Sequence, residues 1–173
     1  MAEAEKWKTG EDEVMGVNPY SGNLGEQDAR AVLASTPGML HQAACALTPE
    51  QLEAPIAPGK WSVREIVAHL ADCEIAFSFR LRQVLAEPGI LLQPFDQALW
   101  AKHYGGYDLP AGLEMFRAAR GWNLKLVGGL GPADFERAGM HPERGEVSFQ
   151  VILETMAGHD LNHLVQVQMV AAV

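Results

Sequence analysis

The sequence predicts an all-α fold in which four long helices pack as a bundle, and three observations lead to this prediction. Apolar residues recur at spacings of three and four over four separate stretches, which is the period of an amphipathic helix. Proline and glycine residues separate these stretches. No stretch of useful length alternates apolar and polar residues as a strand does. Helices of this kind bury their apolar faces most simply against one another.

Length and composition fit one compact soluble domain preceded by a polar arm. The chain has 173 residues, of which 48% are hydrophobic and 20% are charged, and this suits a single domain with an ordinary core. Residues 1–23 are polar and rich in turn-forming residues, so we expect an arm anchored through Trp7 or Tyr20. We expect residues 24–173 to form the bundle domain.

The charge of the chain argues against two classes of partner. Lys and Arg number 13 against 22 Asp and Glu, which gives a formal net charge of −9. The resulting field repels phosphate backbones and anionic bilayers, so we expect neither nucleic-acid binding nor membrane binding. We find no apolar run near the ~20 residues that span a bilayer and no secretory signal in the first ten residues. Cys45 and Cys73 form no Cys-x-x-Cys pair, which suits a reducing cytoplasm.

The first helical unit begins near Ala29. Its apolar residues at helical spacing are Ala29, Val32, Leu33, Leu40, Ala43, Ala44 and Leu47. We expect Pro37 to divide or kink this unit, because proline lacks the N–H donor of a helix interior. The stretch from Ala54 to Gly59, which contains two prolines, ends it.

The second helix has the clearest start in the chain. Ser62 and Glu65 have the spacing of a capping box, and Trp61 and Ile66 that of a hydrophobic staple. The apolar stripe that follows consists of Ile66, Leu70, Cys73, Phe77, Leu81 and Val84. Pro88–Gly89 ends the helix.

Two more long helices are predicted in the C-terminal half. A short piece from about Pro94 to Tyr104 leads to Gly105–Gly106, and the third long helix follows from about Leu109 to Leu130. The last helix starts near Ser148, whose hydroxyl can cap it, and continues to about Val170.

Three histidines are candidates for one metal centre. His159 and His163 are four residues apart on the last helix, so both imidazoles lie on the same side, one turn apart. This spacing suits two nitrogen ligands of zinc, nickel or iron, although a surface pair that only binds water has the same spacing. His69 on the second helix is the third candidate, and the alternative role for it is an ordinary core histidine.

Polar neighbours of these histidines indicate a site inside the bundle. Thr155, Asn162 and Gln166 share a strip with the pair on the last helix, and an unpartnered buried polar group costs ~1–3 kcal/mol. Asp72 and Gln166 are candidates to hydrogen-bond the metal ligands without touching the metal. In this arrangement Asp72 would accept the free N–H of His69. Three neutral imidazoles leave a divalent charge uncompensated, and the nearby candidate carboxylates are Asp72, Glu154 and Asp160.

The remaining histidines carry weaker signals. His103 is a candidate to border a pocket walled by Trp100 and Tyr104, with a plain loop histidine as the alternative. We expect His41 on a helix face and His141 in a solvated turn.

Two segments and the turn between them carry a family resemblance. Residues 59–74 read GKWSVREIVAHLADCE and are followed by Arg80, and residues 158–166 read GHDLNHLVQ. Between them, residues 141–148 read HPERGEVS. Together these segments resemble the DinB-like superfamily, over roughly residues 29–168.

The resemblance implies a four-helix up-down-down-up bundle with a divalent ion, nickel, zinc or a similar metal, held by His69, His159 and His163. It also implies a homodimer that acts on a small molecule. Members of the family look like metal-dependent hydrolases, or like thiol S-transferases or isomerases that use bacillithiol or mycothiol. A shared fold does not identify which of these reactions a protein catalyses.

Three protein ligands leave open positions on a metal ion, as in catalytic sites. We slightly favour a thiol S-transferase, in which the ion lowers the pKa of a low-molecular-weight thiol that attacks a small electrophile. The first alternative is a hydrolase that activates water, with Asp160 or Glu65 as the candidate general base. The second alternative is a non-catalytic metal-binding module of a stress response.

Overall fold

A computed structural model of the protein describes residues 17–171 and shows a bundle of four long helices. These are α2 (Ala29–Cys45), α4 (Val63–Ala86), α6 (Leu109–Gly128) and α8 (Phe149–Ala171). The short elements are α1 (Ser21–Leu24), α3 (Pro49–Glu53), α5 (Gln97–Ala101), a 3-10 turn (Tyr104–Gly106) and α7 (Pro132–Phe135). The predicted four-helix bundle is confirmed. Within residues 17–171, no helix is long and apolar enough to cross a membrane.

Each long helix packs against two of the others. Helix α4 contacts α6 and α8, and α2 contacts the same two helices. Helices α2 and α4 therefore occupy opposite corners of the bundle. The side-by-side contact of α4 and α8 is the one that the candidate metal centre requires.

The helix caps predicted at Ser62 and at Ser148 are both confirmed. The hydroxyl of Ser62 accepts the N–H of Glu65 at 3.3 Å, and the carboxylate of Glu65 accepts the N–H of Ser62 at 2.8 Å. The hydroxyl of Ser148 accepts the N–H of Val151 at 3.2 Å. Each cap satisfies an amide that the first helical turn leaves without a partner.

Pro37 does not divide its helix, and that part of the expectation is wrong. Helix α2 continues through Pro37, although proline lacks the N–H that would bond the carbonyl of Leu33 four residues earlier. Nη1 of Arg120, on α6, donates to this carbonyl at 3.2 Å. A tertiary hydrogen bond thus satisfies the acceptor that proline leaves open.

Residues 138–148 form a β-hairpin, which the sequence did not predict. Strand β1 (Ala138–His141) pairs antiparallel with β2 (Gly145–Ser148). Gly145 adopts φ +76°, a left-handed conformation that favours glycine. Each strand has four residues, which is too short for alternation to stand out in the sequence.

The hairpin is attached to the segment after α4 and buries a histidine. The N–H of Met140 donates to the carbonyl of Ile90, and the N–H of Leu92 donates to the carbonyl of Met140, each at 2.8 Å. The side chain of His141 is buried in this arrangement. The expectation of a solvated His141 is therefore wrong, because docking of the hairpin covers it.

A polar layer crosses the bundle between two apolar clusters. One cluster includes Leu33, Phe77 and Met156, and the other includes Leu40 and Leu164. The buried polar residues of the layer are Thr36, His69, Glu74, Arg120, Asn123, His159, Asp160 and His163. All four long helices contribute to it, so the layer is a continuous feature of the interior.

The end of the predicted arm lies against the last helix. Helix α1 packs on α8, and the ring of Tyr20 lies 5.1 Å from that of His159. The backbone of Tyr20 passes so close to Gly158 that a Cβ atom there would overlap its carbonyl oxygen. Trp7, the other expected anchor, lies outside the described residues.

Candidate metal centre

Three buried histidines from two neighbouring helices converge in the polar layer. Helix α8 supplies His159 and His163, whose ring centroids are 4.6 Å apart. Helix α4 supplies His69, whose ring centroid is 5.1 Å from that of His159 and 4.9 Å from that of His163. One ligand nitrogen of each ring lies within 4.8 Å of the other two. The structure therefore brings together all three histidines that the sequence proposed as ligands.

Burial keeps the three imidazoles neutral. It lowers the pKa of His69, helped by His163, from 6.5 to about 3. Burial also lowers the pKa of His159 and of His163, although the hydrogen bond with Gln166 and the charge of Asp160 act in the opposite direction on His163. A neutral imidazole keeps the nitrogen lone pair that a metal ion needs.

The nitrogen atoms have the spacing of metal ligands, and in the described part of the chain one buried nitrogen lacks a hydrogen-bond partner. Nε2 of His69 and Nε2 of His159 face each other at 3.0 Å, close to the ~3.3 Å between two tetrahedral ligands at zinc–nitrogen bonds of about 2.0–2.1 Å. Nδ1 of His159 is buried and has no hydrogen-bond partner among the described residues. A divalent transition ion therefore fits this set of donors.

The second nitrogen of two of the rings meets a polar side chain. Nδ1 of His163 lies 3.0 Å from the amide oxygen of Gln166, and Nδ1 of His69 lies 3.4 Å from the hydroxyl of Tyr104. The amide oxygen of Gln166 can only accept, so it favours a proton on Nδ1 of His163 and leaves Nε2 of that ring free to bind a metal. Gln166 thus lies where the sequence placed it, and Tyr104 takes the position expected for Asp72.

Comparison with known proteins decides the family. A family model described as the DinB superfamily matches residues 33–167. The chain belongs to the DinB superfamily. The match covers most of the bundle and includes all three histidines.

Curated relatives within the DinB superfamily carry one recurring name. A protein of Oceanobacillus iheyensis is 32% identical over 133 residues, covering 76% of this chain and 77% of its own. A protein of Geobacillus kaustophilus is 30% identical over 154 residues and covers 86% of each chain. Both are named as metal-dependent hydrolases.

A solved structure shares the DinB-superfamily fold. YfiT from Bacillus subtilis superimposes with a TM-score of 0.79 at 26% sequence identity, over 83% of this chain and 84% of its own. It is described as a metal-dependent hydrolase with an unusual four-helix bundle topology. The DinB-like bundle expected from the resemblance is confirmed.

Asp72 lies in a surface pocket rather than beside His69. It is half-buried, and burial raises the pKa of its carboxyl group. The pocket is open, has a volume of about 440 Å³, and is lined by Asp72, Leu99, Trp100, His103 and Tyr107. The prediction that His103 and Trp100 border a pocket therefore agrees with the structure. Tyr104 does not line this pocket, because it is buried against His69.

The two candidate general bases are both engaged elsewhere. The carboxylate of Asp160 accepts from Nη1 of Arg120 at 2.6 Å and from the hydroxyl of Thr36 at 2.7 Å. The carboxylate of Glu65 accepts the N–H of Ser62 in the capping box. Helix packing therefore uses the carboxylate of Asp160, and helix capping uses that of Glu65.

A buried ion-pair network beside the histidines was missed by the sequence analysis. The guanidinium of Arg120 donates to Glu74 at 2.6 Å as well as to Asp160, and the amide of Asn123 donates to Glu74 at 3.1 Å. The available signal was that Glu74, Arg120 and Asp160 each occupy an apolar helix face. Opposite charges on facing apolar stripes predict a buried pair.

Aromatic side chains enclose the centre. The ring of Trp61 lies 4.6 Å from that of His69 and 6.4 Å from that of His163. Tyr20 and Phe77 lie against His159 at 5.1 Å and 6.2 Å. These rings exclude bulk water from the imidazoles and strengthen electrostatic interactions between groups inside the site.

Proposed function

We propose that this DinB-superfamily protein is a metal-dependent hydrolase of small molecules, with a divalent ion held by His69, His159 and His163. The observation that carries the proposal is the convergence of three buried, neutral imidazoles with ligand nitrogens within 4.8 Å of one another. The names of the curated relatives support hydrolysis. They give no support to the thiol S-transferase that we favoured from the sequence.

The ion, when bound, supplies Lewis acidity that polarises a carbonyl group and lowers the pKa of water. The protein contributes three nitrogens from two packed helices, which leaves positions open for substrate and water. Gln166 and Tyr104 hold the outer nitrogens of His163 and His69. Burial raises the pKa of Tyr104, so its hydroxyl stays protonated at neutral pH.

An assay of hydrolysis and of conjugation tests the proposal directly. We expect protein loaded with nickel or zinc to hydrolyse at least one member of a panel of esters and amides. His159→Ala should abolish this activity, whereas His41→Ala, on the exposed face of α2, should retain it. The same preparations are tested with low-molecular-weight thiols and small electrophiles.

Two results would replace the proposal. Conjugate formation without hydrolysis would support the thiol S-transferase. Neither activity in metal-loaded protein would leave a non-catalytic metal-binding module.

We also propose a homodimer in the cytoplasm. The support for this is the family resemblance and the two cysteines outside any Cys-x-x-Cys pair. Analytical ultracentrifugation tests the dimer, and a monomer at all concentrations would contradict it.

A further inference from the structure

A small cavity beside the metal centre is lined by two arginines and a histidine. Helix α4 supplies Arg80, the hairpin supplies His141 and Arg144, and α8 supplies Thr155. The cavity has a volume of about 20 Å³, which is enough for one group of the size of a water molecule. These four side chains take no part in the contacts described above for the three metal ligands.

Two positively charged side chains, Arg80 and Arg144, lie close together in this cavity. In the part of the chain that the structure describes, neither arginine forms an ion pair with a carboxylate. Burial and the neighbouring Arg144 both lower the pKa of Arg80. Burial, Arg144 and Arg80 also lower the pKa of His141, against the opposite effect of Glu143. Both arginines are partly buried, and holding like charges together away from water is costly unless an anion joins them.

Unused hydrogen-bond donors point to the same conclusion. Nε of Arg144 is buried and has no partner among the described residues, which is rare for a buried polar group. Nδ1 of His141 accepts the N–H of Glu143 at 3.2 Å, so the neutral ring carries its proton on Nε2. Nη2 of Arg80 donates to the carbonyl of Gln93 at 2.9 Å, and this bond holds the guanidinium in place.

Two lining residues relate the cavity to the metal centre. Phe77 lines the cavity, and its ring centroid is 6.2 Å from that of His159. Thr155 also lines it and precedes His159 by four residues, about 6 Å along the helix axis. The cavity therefore lies close to His159.

We propose that this cavity binds a small oxyanion, a carboxylate or a phosphate, through Arg80, Arg144 and His141. Guanidinium groups suit both anions, because their planar N–H groups donate paired hydrogen bonds to two oxygens. One oxygen of the anion occupies the cavity and the rest of the ligand extends from its open side. We assign this anion as the charged group of the substrate, and only this assignment rests on the proposed hydrolase.

Calorimetric titration with sodium acetate and with inorganic phosphate tests the site without catalysis. The full chain is treated with a chelator, so that neither anion binds a metal, and ionic strength is kept constant. We expect saturable one-to-one binding of at least one anion, and the anion that binds identifies the group. Arg144→Gln should weaken this binding by about tenfold or more, because a charged donor is lost.

Matched variants separate a site from general charge attraction. Arg117→Gln removes the same charge from an exposed position of α6 and should leave the affinity within about twofold. Arg144→Lys keeps the charge and should weaken binding less than Arg144→Gln. Circular dichroism confirms the fold of each variant, and Arg80→Gln replaces any variant that does not fold. No saturable binding, or equal affinity in Arg144→Gln and Arg117→Gln, would overturn the site.

A pair of esters that differ only by a carboxylate tests the substrate assignment. The wild-type protein should hydrolyse the carboxylate ester with the lower KM, and Arg144→Gln should remove that preference by raising this KM. Hydrolysis of both esters with equal KM would overturn the substrate assignment alone. Hydrolysis of neither ester and of no other member of the panel of esters and amides, with anion binding intact, would overturn the proposed hydrolase and leave the anion site standing.

Discussion

Nη1 of Arg120 donates a hydrogen bond to the carbonyl oxygen of Leu33 at 3.2 Å, which joins α6 to the interior of α2. The same guanidinium donates to Asp160 on α8 and to Glu74 on α4, each at 2.6 Å. Burial acts to lower the pKa of Arg120, but the two carboxylates outweigh it and raise the pKa. One charged side chain therefore links all four long helices beside the metal centre.

Arg120→Met should destabilise the protein by about 3–5 kcal/mol, because Glu74 and Asp160 would remain buried without their partner. Urea unfolding followed by circular dichroism measures the change. The control is Arg117→Met, whose ion pair with Glu114 is exposed and is screened by solvent, so its loss should change the stability little. Equal losses in the two variants would contradict a stabilising role for the buried network.

His159→Ala or His163→Ala should lower the affinity for nickel and zinc by more than about 100-fold. Removing a residue that only hydrogen-bonds a ligand costs about 10–100-fold in affinity, and removing the ligand itself should cost more. The helical circular dichroism signal should survive. Metal content after dialysis, measured by mass spectrometry, checks this against His41→Ala. An unchanged metal stoichiometry would remove the assignment of the site.

Gln166→Leu and Tyr104→Phe should each lower metal affinity by about 10–100-fold, because they release the outer nitrogens of His163 and His69. Asp72→Asn should leave the affinity within about threefold, since Asp72 lies in the surface pocket. Competition with a chromogenic chelator measures all three variants. A larger loss in Asp72→Asn than in the other two would reverse the assignment of these outer contacts.

Acid should destabilise the metal-free protein through its buried histidines. The pKa of His69 is about 3 in the folded protein and near 6.5 in the unfolded chain, so the unfolded chain binds a proton first as the pH falls. The contribution of such a histidine to the free energy of unfolding is therefore complete above about pH 6.5. Below that pH it falls by about 1.4 kcal/mol per pH unit for each such group.

His69→Gln should therefore reduce the slope of unfolding free energy against pH by about one proton between about pH 4 and 6. Urea unfolding at a series of pH values measures the slope, with His41→Gln as the control. If His69→Gln kept the slope of the wild type, His69 would not be a neutral buried group.

Gly158→Ala should destabilise the protein, although alanine favours a helix by about 1 kcal/mol over glycine. The new Cβ atom would overlap the carbonyl oxygen of Tyr20 and lie 2.8 Å from its Cβ atom, and such overpacking costs about 1–3 kcal/mol. Gly121→Ala on α6 is the matched control, because no atom lies within 4 Å of its added Cβ. Thermal unfolding should show opposite shifts for the two variants, and shifts of the same sign would refute this contact.

The local features of this protein could be predicted from the sequence. Ser62 and Glu65 form their capping box within four residues, and the turn of one helix brings His159 and His163 together. Such features depend on contacts between residues close in the chain, so their spacing alone determines them. The resemblance added His69 as the third ligand, which spacing alone left open.

Contacts between distant parts of the chain decided the rest. Arg120 pairs with Asp160. Tyr104, and not Asp72, contacts His69. The hairpin packs on the bundle and buries His141. In each case the sequence offers several partners of similar chemistry, and only the packing of the helices and loops selects one. The reason is physical: a buried polar group must take the partner that the tertiary structure places within hydrogen-bond distance, whatever its separation along the chain.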